Sequence, residues 1–218
     1  MQLFLLHLWR KSDYLPLTTA IIHINIMQIT AKLKHGKLKK LLLWLMIHPV
    51  ETRPRLWLRL FRPLYTQCAW SSVIHHSARM DVVPFQAFSL GKKSVVESYA
   101  CVNNAVGSVR IGDHSRVGLH NTIIGPVRIG DHVNLAQGIV VSGLNHGFSD
   151  PEKRFDEQPV TTAEVVIEDD VWIGANCVLT SGVHIGSHSI VGAGSVVTHD
   201  IPPHSLALGV PAKVVREI

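Results

Sequence analysis

The stretch "VSGLNHGFSDPEKRFDEQPVTTAEVV", residues 141–166, holds one histidine, His146, near the acids Asp150, Glu152, Asp156 and Glu157. A free imidazole titrates near pH 6.5, so it can take up and return a proton at neutral pH. Any of the four carboxylates could orient such a ring, and the sequence does not choose among them. Asn145 precedes the histidine and Gly147 follows it, so Asn145 reads either as a turn residue or as a hydrogen-bond donor to an acceptor molecule. Without further context, a lone histidine in a polar loop is an ordinary solvated side chain. The three cysteines, Cys68, Cys101 and Cys177, are odd in number, scattered and without a CxxC pair. They suggest neither a disulfide framework nor a zinc ribbon, and they point to a reducing, cytoplasmic setting. None lies in the loop, so no thiol nucleophile accompanies His146.

The loop interrupts a regular beat. From residue 111, aliphatic residues recur every six: Ile111, Val117, Ile123, Ile129, Leu135 and Val141. After the loop the beat resumes at Ile167, Ile173, Leu179, Ile185, Val191 and Val197. A small residue often follows, as in Ile111-Gly112, Leu135-Ala136 and Ile173-Gly174. A looser passage precedes it at Leu90-Gly91 and Val96. The step from Val141 to Ile167 is 26 residues, which is four hexads plus two, so the register slips there. A period of six matches neither a helix nor simple strand alternation. It predicts short strands joined by tight turns and wound into an all-β solenoid, each aliphatic stacking on its equivalent one coil away. A solenoid by itself implies no activity. His114, His132 and His188 fall in the "IGDH", "IGDH" and "IGSH" turns and read as structural, solvent-facing residues.

Charge divides the chain. Residues 1–62 carry eleven Lys/Arg against Asp13 and Glu51, or +9, whereas residues 63–218 carry ten against fourteen acids, or −4. The basic surface therefore belongs to the N-terminal part. Residues 30–48, "TAKLKHGKLKKLLLWLMIH", space their leucines helically with lysines opposite, and Pro49 ends the helix. "TRPRLWLRLFRPLY" predicts a second short helix from Thr52, with Pro54 in its first turn and Trp57, Leu60 and Phe61 on one face among arginines. These helices read as a cap over the open solenoid end, or as a basic amphipathic element giving peripheral membrane contact through residues 30–62, and the two roles are compatible. Residues 1–26 contain "IIHINI", which alternates like a strand, and no pattern that fits a secretory signal. They are expected to be a poorly ordered, dispensable extension, with Met27 as an alternative start. No stretch approaches the roughly 20 apolar residues of a membrane span. The resulting division is 1–26 as extension, 27–84 as helical appendage, and 85–218 as solenoid with an extruded loop at 142–166.

"VVIEDDVWIGANCVLTSGVHIGSHSIVGAGSVVTHDIPPHSLALGVPAKVVREI" resembles the C-terminal half of the left-handed β-helix, hexapeptide-repeat acyltransferases. "DVWIGAN", "GAGSVVT" and "GVPAKVV" carry the resemblance, which spans about residues 85–218 and is nearest to the maltose/galactoside O-acetyltransferase-like branch. "LNHGFSDP" looks like the loop of bacterial enzymes that acetylate sugars of surface polysaccharides. The resemblance implies a homotrimer with acetyl-CoA in the groove between subunits, a saccharide acceptor, no metal and no nucleic acid. It makes His146 the general base, with Asn145 beside it. It places Ala136 near the thioester, lines the groove with Ala175, Ala193 and Thr198, and walls it with Trp172. Lys213 and Arg216 match the basic pair that meets the nucleotide phosphates. His199 stands where many relatives have Lys, so a phosphate contact there would depend on pH. Asn121, in "GLHNTIIG", falls in the region that touches the acceptor.

Other readings on the same fold are weighed against these residues. A γ-type carbonic anhydrase needs three converging histidines; His199 and His204 have one suitable separation, but position 163, about two coils earlier, is Ala. The coil sequence typical of serine acetyltransferase, with its His and Asp, is not evident. An amino-sugar N-acetyltransferase is the closer rival, and a non-catalytic scaffold is the remaining one.

Overall fold

The computed structural model describes residues 37–51 and 53–218. Helix α1, Lys37–Met46, and the short helix α2, Leu56–Leu60, precede a parallel β-solenoid. Its strands are two or three residues long until the final hairpin, and they sort into three sheets around one core. The first sheet runs from Gln67–Cys68 through Phe88–Leu90, Val109–Ile111, Val127–Ile129 and Val165–Ile167 to His184–Ile185. The second includes Arg116–Val117, Asn134–Leu135, Trp172–Ile173 and Ile190–Val191, and closes with Ser205–Gly209 paired antiparallel to Ala212–Glu217. The third includes Arg79–Asp81, Thr122–Ile124, Val140–Ser142, Val178–Leu179 and Val196–Val197.

The six-residue beat becomes three vertical columns. Leu90, Ile111, Ile129, Ile167 and Ile185 stand in register on the first sheet. Val96, Val117, Leu135, Ile173 and Val191 do so on the second. Val102, Ile123, Val141, Leu179 and Val197 do so on the third. All are essentially inaccessible to water. Burial of a side chain of this size contributes roughly 1.5–3 kcal/mol, and each column member obtains it only from the coils above and below.

The small and acidic residues after each aliphatic have a single explanation at the corner between the first and second sheets. Asp113 Oδ1 accepts the backbone N–H of Lys92, Asp131 Oδ1 that of Asp113, and Asp169 Oδ1 that of Asp131. This ladder satisfies corner N–H groups that no strand pairs. It also demands glycine: a Cβ on Gly112 would lie 2.2 Å from Asp131 Oδ1. One residue further, Lys93, His114, His132, Asp170, His188 and His204 all adopt positive φ, and the rings of His114 and His132 stack 4.9 Å apart. The corner histidines are thus part of the coil architecture.

The register slip disappears in three dimensions. Val141 and Ile167 occupy successive column positions, and the intervening residues leave the coil at the corner between the third and first sheets. The inserted segment is spliced out of the winding, so its length need not be a multiple of six.

The N-terminal boundary shifts. Strands at Gln67–Cys68, Val73–Ile74 and Arg79–Asp81 pair with the coil above, so the solenoid begins at residue 67, not 85. This coil was not legible because it lacks the aliphatic-glycine pairs; Ala69, Ile74 and Met80 fill its interior. The second helix also begins later than Thr52. His48 N–H donates to Arg53 O and Arg55 N–H to Met46 O, and Ile47 bridges Pro54. Residues 53–55 are held extended by this pairing, so α2 can start only at Leu56. Its buried residue is Leu58, while Trp57, Leu60 and Phe61 face outward. Residues 1–36, with the strand and alternative start read there, lie outside the described residues.

Two groups fasten the helices to the first coil. Tyr65 is buried, its hydroxyl within hydrogen-bond reach of Leu58 O and Val82 O, and burial pushes its phenol up to about 12. Asp81, 2% exposed, accepts from Arg79 Nε at 2.6 Å and from Arg53 Nε at 3.3 Å. Asp81→Ala should lower stability by about 2 kcal/mol, since both arginines retain some contact with water. Thermal or denaturant unfolding followed by circular dichroism measures this, and an unchanged midpoint would show the ion pairs to be passive.

Candidate active site

The loop begins as a ribbon. Leu144–Asn145 pairs antiparallel with Thr161–Thr162, and Ser181 fastens its base: the hydroxyl donates to Gly143 O and accepts from Ala163 N. Beyond the ribbon the chain is ordered by Gln158. This side chain is buried; its amide nitrogen donates to Asp150 O and Lys153 O, and its oxygen accepts from Asp150 N. The sequence reading passed over both Ser181 and Gln158. A glutamine in a loop carries no periodic signal, and only its enclosure reveals it as the loop's internal brace.

His146 follows the ribbon directly and is exposed, as is Asn145. The loop acids are largely committed elsewhere. Asp150 pairs with Lys153 at 2.6 Å and caps Glu152 N, while Arg154 grips Asp156 and also reaches Glu157. Arg154 holds the Asp156 carboxyl below its usual range. These contacts tie the acids to Lys153, Arg154 and the loop backbone, and His146 takes no part in them. The loop also presents Phe148 and Phe155, 80% and 68% exposed.

Ala136, Ala175 and Ala193 fall together. They line the corner between the second and third sheets on successive coils, beside Gly118, Gly174 and Gly192. Without larger side chains this edge allows close approach to its backbone, although Ala136 N–H already donates to Ile173 O and Ala175 O accepts from Gly194 N–H. Trp172 projects from the adjacent strand of the second sheet, 52% exposed. Thr198 and His199 lie elsewhere, at the corner between the third and first sheets, with Thr198 Oγ1 2.9 Å from His199 Nδ1. That is also the corner from which the His146 loop departs. Lys213 and Arg216 are exposed on the outer strand of the second sheet. Asn121 departs from expectation: it is fully buried, and its Oδ1 accepts from Ile139 N. It occupies an inward corner position of the hexad, and its buried Nδ2 has no hydrogen-bond partner among the described residues. Within one chain, therefore, His146 and the alanine edge stand at opposite margins of the third sheet.

Two repeat models match this winding: bacterial transferase hexapeptide (six repeats) over residues 164–199, and the hexapeptide repeat of succinyl-transferase over residues 108–142. Over these two spans the chain carries the hexapeptide repeat of the bacterial transferases. Within it, 54 residues are 54% identical to the galactoside O-acetyltransferase of Escherichia coli (strain K12), covering 25% of this chain and 27% of that one. Another 47% match over 60 residues is to a 2,3,4,5-tetrahydropyridine-2,6-dicarboxylate N-acetyltransferase of Staphylococcus aureus (strain JH9), covering 28% and 25%. The matched span is thus about a quarter of the length of these curated relatives. In fold the chain is similar to AntD, an N-acyltransferase from Bacillus cereus solved with dTDP and 3-hydroxybutyryl-CoA (TM-score 0.62, 21% identity, 73% of this chain and 87% of that one). It is also similar to a maltose O-acetyltransferase from Clostridium difficile 630 (TM-score 0.51, 20% identity, 90% and 84%).

These similarities leave open whether a thiol takes part in any chemistry at the site. Cys177 lies inside the solenoid, and burial pushes its thiol up, as it does for Cys68 and Cys101. Raised thiols stay protonated at neutral pH and are poor nucleophiles. No group of three or more His, Cys, Asp or Glu side chains suited to a metal occurs among the described residues. His204 packs its ring on His188, 5.1 Å away, as part of the corner column. Native protein treated briefly with N-ethylmaleimide at pH 7 should leave Cys177 unmodified, whereas unfolded protein should react at all three sites. Mass spectrometry reads the pattern, and rapid native labelling of Cys177 would contradict its enclosure.

Proposed function

We propose that this protein is an O-acetyltransferase that moves acetyl from acetyl-CoA to a saccharide hydroxyl, with His146 as general base. The observation that carries the reading is the exposed His146 at the end of a braced ribbon that leaves an otherwise regular solenoid. A hydroxyl attacks a thioester poorly until its proton is removed, and an imidazole suits that task near neutral pH. The imidazole takes the hydroxyl proton as the oxygen attacks the thioester carbonyl. The tetrahedral intermediate then collapses, the C–S bond breaks, and the proton returns to the departing sulfur. Oxyanion donors would be backbone N–H groups at the alanine edge other than that of Ala136, which donates to Ile173 O. Direct transfer fits the raised thiols of Cys68, Cys101 and the buried Cys177 better than an acyl-enzyme does.

The acting unit in this reading is a homotrimer. His146 and the edge formed by Ala136, Ala175 and Ala193 lie at different corners of one chain, so a neighbouring copy supplies the other half of each site. Exposed Phe148, Phe155 and Trp172 are the apolar groups such a neighbour would cover. Thr198, Lys213, Arg216 and His199 are assigned to acetyl-CoA, the last three to its phosphates, for which cationic side chains are suited. Asn145 is assigned to the acceptor. The saccharide acceptor is supported by the matches to galactoside and maltose O-acetyltransferases. A cytoplasmic location is supported by the three free cysteines.

His146→Ala should reduce acetyl transfer by about 10²–10⁴-fold while leaving acetyl-CoA affinity nearly unchanged. Thiol release with a panel of sugars, alongside calorimetric titration of acetyl-CoA into both proteins, measures the two quantities. Wild-type turnover in the variant would remove His146 from the mechanism. Transfer confined to amino-sugar acceptors would make the enzyme an N-acetyltransferase. Failure of both proteins to bind acetyl-CoA would leave a scaffold.

A further inference from the structure

The helical end of the molecule has an outer face that its inner packing does not use. Met46 of α1 packs against the solenoid core and Leu42 is half-buried, whereas Leu41, Trp44 and Leu45 are exposed. α2 repeats the arrangement, burying Leu58 and exposing Trp57, Leu60 and Phe61. The two exposed sets are joined by direct contacts. Trp57 Nε1 donates to Leu45 O at 3.0 Å, and the Arg55 guanidinium lies over the Trp44 ring at 4.8 Å while its Nε donates to Trp44 O. The two sets therefore adjoin through Trp44 and Trp57, with Arg55 over the Trp44 ring and Arg59 exposed on the same helix as Leu60.

The charge of this region indicates what covers it. Residues 37–64 contain Lys37, Lys39, Lys40, Arg53, Arg55, Arg59 and Arg62 against Glu51, seven minus one or +6. Arg53 is committed to Asp81, and the remaining cations outnumber any local acid. Two such faces would repel each other, which argues against self-association through this surface. Tryptophan, phenylalanine and leucine beside arginine suit the boundary between lipid headgroups and acyl chains. Among the described residues neither helix is long and apolar enough to cross a membrane, so this element would lie in the plane of the surface.

We infer that this face docks on an anionic lipid bilayer, inserting Trp44, Trp57, Leu60 and Phe61 shallowly while the arginines meet lipid phosphates. The inference is independent of the acetyl-transfer reading, because no residue of the proposed site belongs to the surface.

Flotation of the full chain with phosphatidylcholine vesicles, with and without phosphatidylglycerol, tests it. The protein should float with the anionic vesicles and be released by high salt. Arg59→Glu should weaken that partition roughly thirtyfold, since each cation near an anionic surface contributes about 1 kcal/mol and the change removes one and adds an anion of similar size. Leu60→Ser with Phe61→Ser should weaken it at least as much, without altering the circular dichroism of the solenoid. Absence of flotation, equal flotation with phosphatidylcholine alone, or indifference to both variants would overturn the proposal. A change of oligomer size in the Leu60/Phe61 variant without vesicle binding would overturn it in favour of a second copy on this face.

Discussion

The constraint on which the molecule depends is that no coil can bury its own interior. A hexad contributes one aliphatic side chain and a turn, too little to exclude water alone. Ile111 is dry only because Leu90 and Ile129 lie above and below it. The spacing of six follows, because a longer or shorter step would take the next aliphatic out of its column. The glycine and aspartate at the corners follow as well. The carboxylate of one coil occupies the space that a Cβ on the coil below would need, and it satisfies an N–H that no strand reaches. Side chains, backbone and turn conformation are thereby locked to one repeat.

Such regularity leaves little room for chemistry. Successive coils present nearly the same surface, and a ridged flat sheet encloses nothing. Function must enter where the repeat can be broken without breaking the columns, and a corner permits that. The residues between Ser142 and Val165 leave the winding at one corner and return to it, so their sequence is free of the hexad rule. Freed from that rule, the segment braces itself, with Gln158 inside and the ribbon beneath. The same logic explains the alanine edge. A corner position that neither fills the core nor caps an N–H can be small, and smallness exposes backbone.

Legibility followed periodicity. The twelve aliphatics from Ile111 to Val197 were readable because each repeats the physical demand of its neighbours. The extruded loop was readable as the place where that demand lapsed. The first coil was not: Ala69, Ile74 and Met80 do the same work without the glycines that announce a corner. The burial of Asn121 was not legible because polarity suggests exposure. The inward corner position accepts a polar side chain when, as here, its oxygen meets a backbone N–H of the next coil. The second helix was placed too early because Pro54 suits a first helical turn, yet the pairing of residues 53–55 with 46–48 had already claimed that backbone. In each case a long-range contact outweighed a local preference, and a single sequence does not display such contacts.

The ends of the solenoid obey a different rule from its middle. A terminal coil has a neighbour on one side only, so its open side must be closed by something that is not another hexad. At the C-terminal end the chain folds back on itself, and Ala212–Glu217 closes the second sheet as an antiparallel strand. At the N-terminal end the closure is helical, secured by Leu58, Tyr65 and the Asp81 ion pairs. A helix has two faces, and only one is consumed by capping. The hairpin at the other end leaves a charged strand edge, whereas the helices leave aromatic residues set among arginines. The cap therefore does what the columns cannot: it ends the repeat and at the same time offers a surface of different chemistry. The axis of the solenoid gains a polarity, with the basic apolar face at one end and the cations Lys213 and Arg216 near the other.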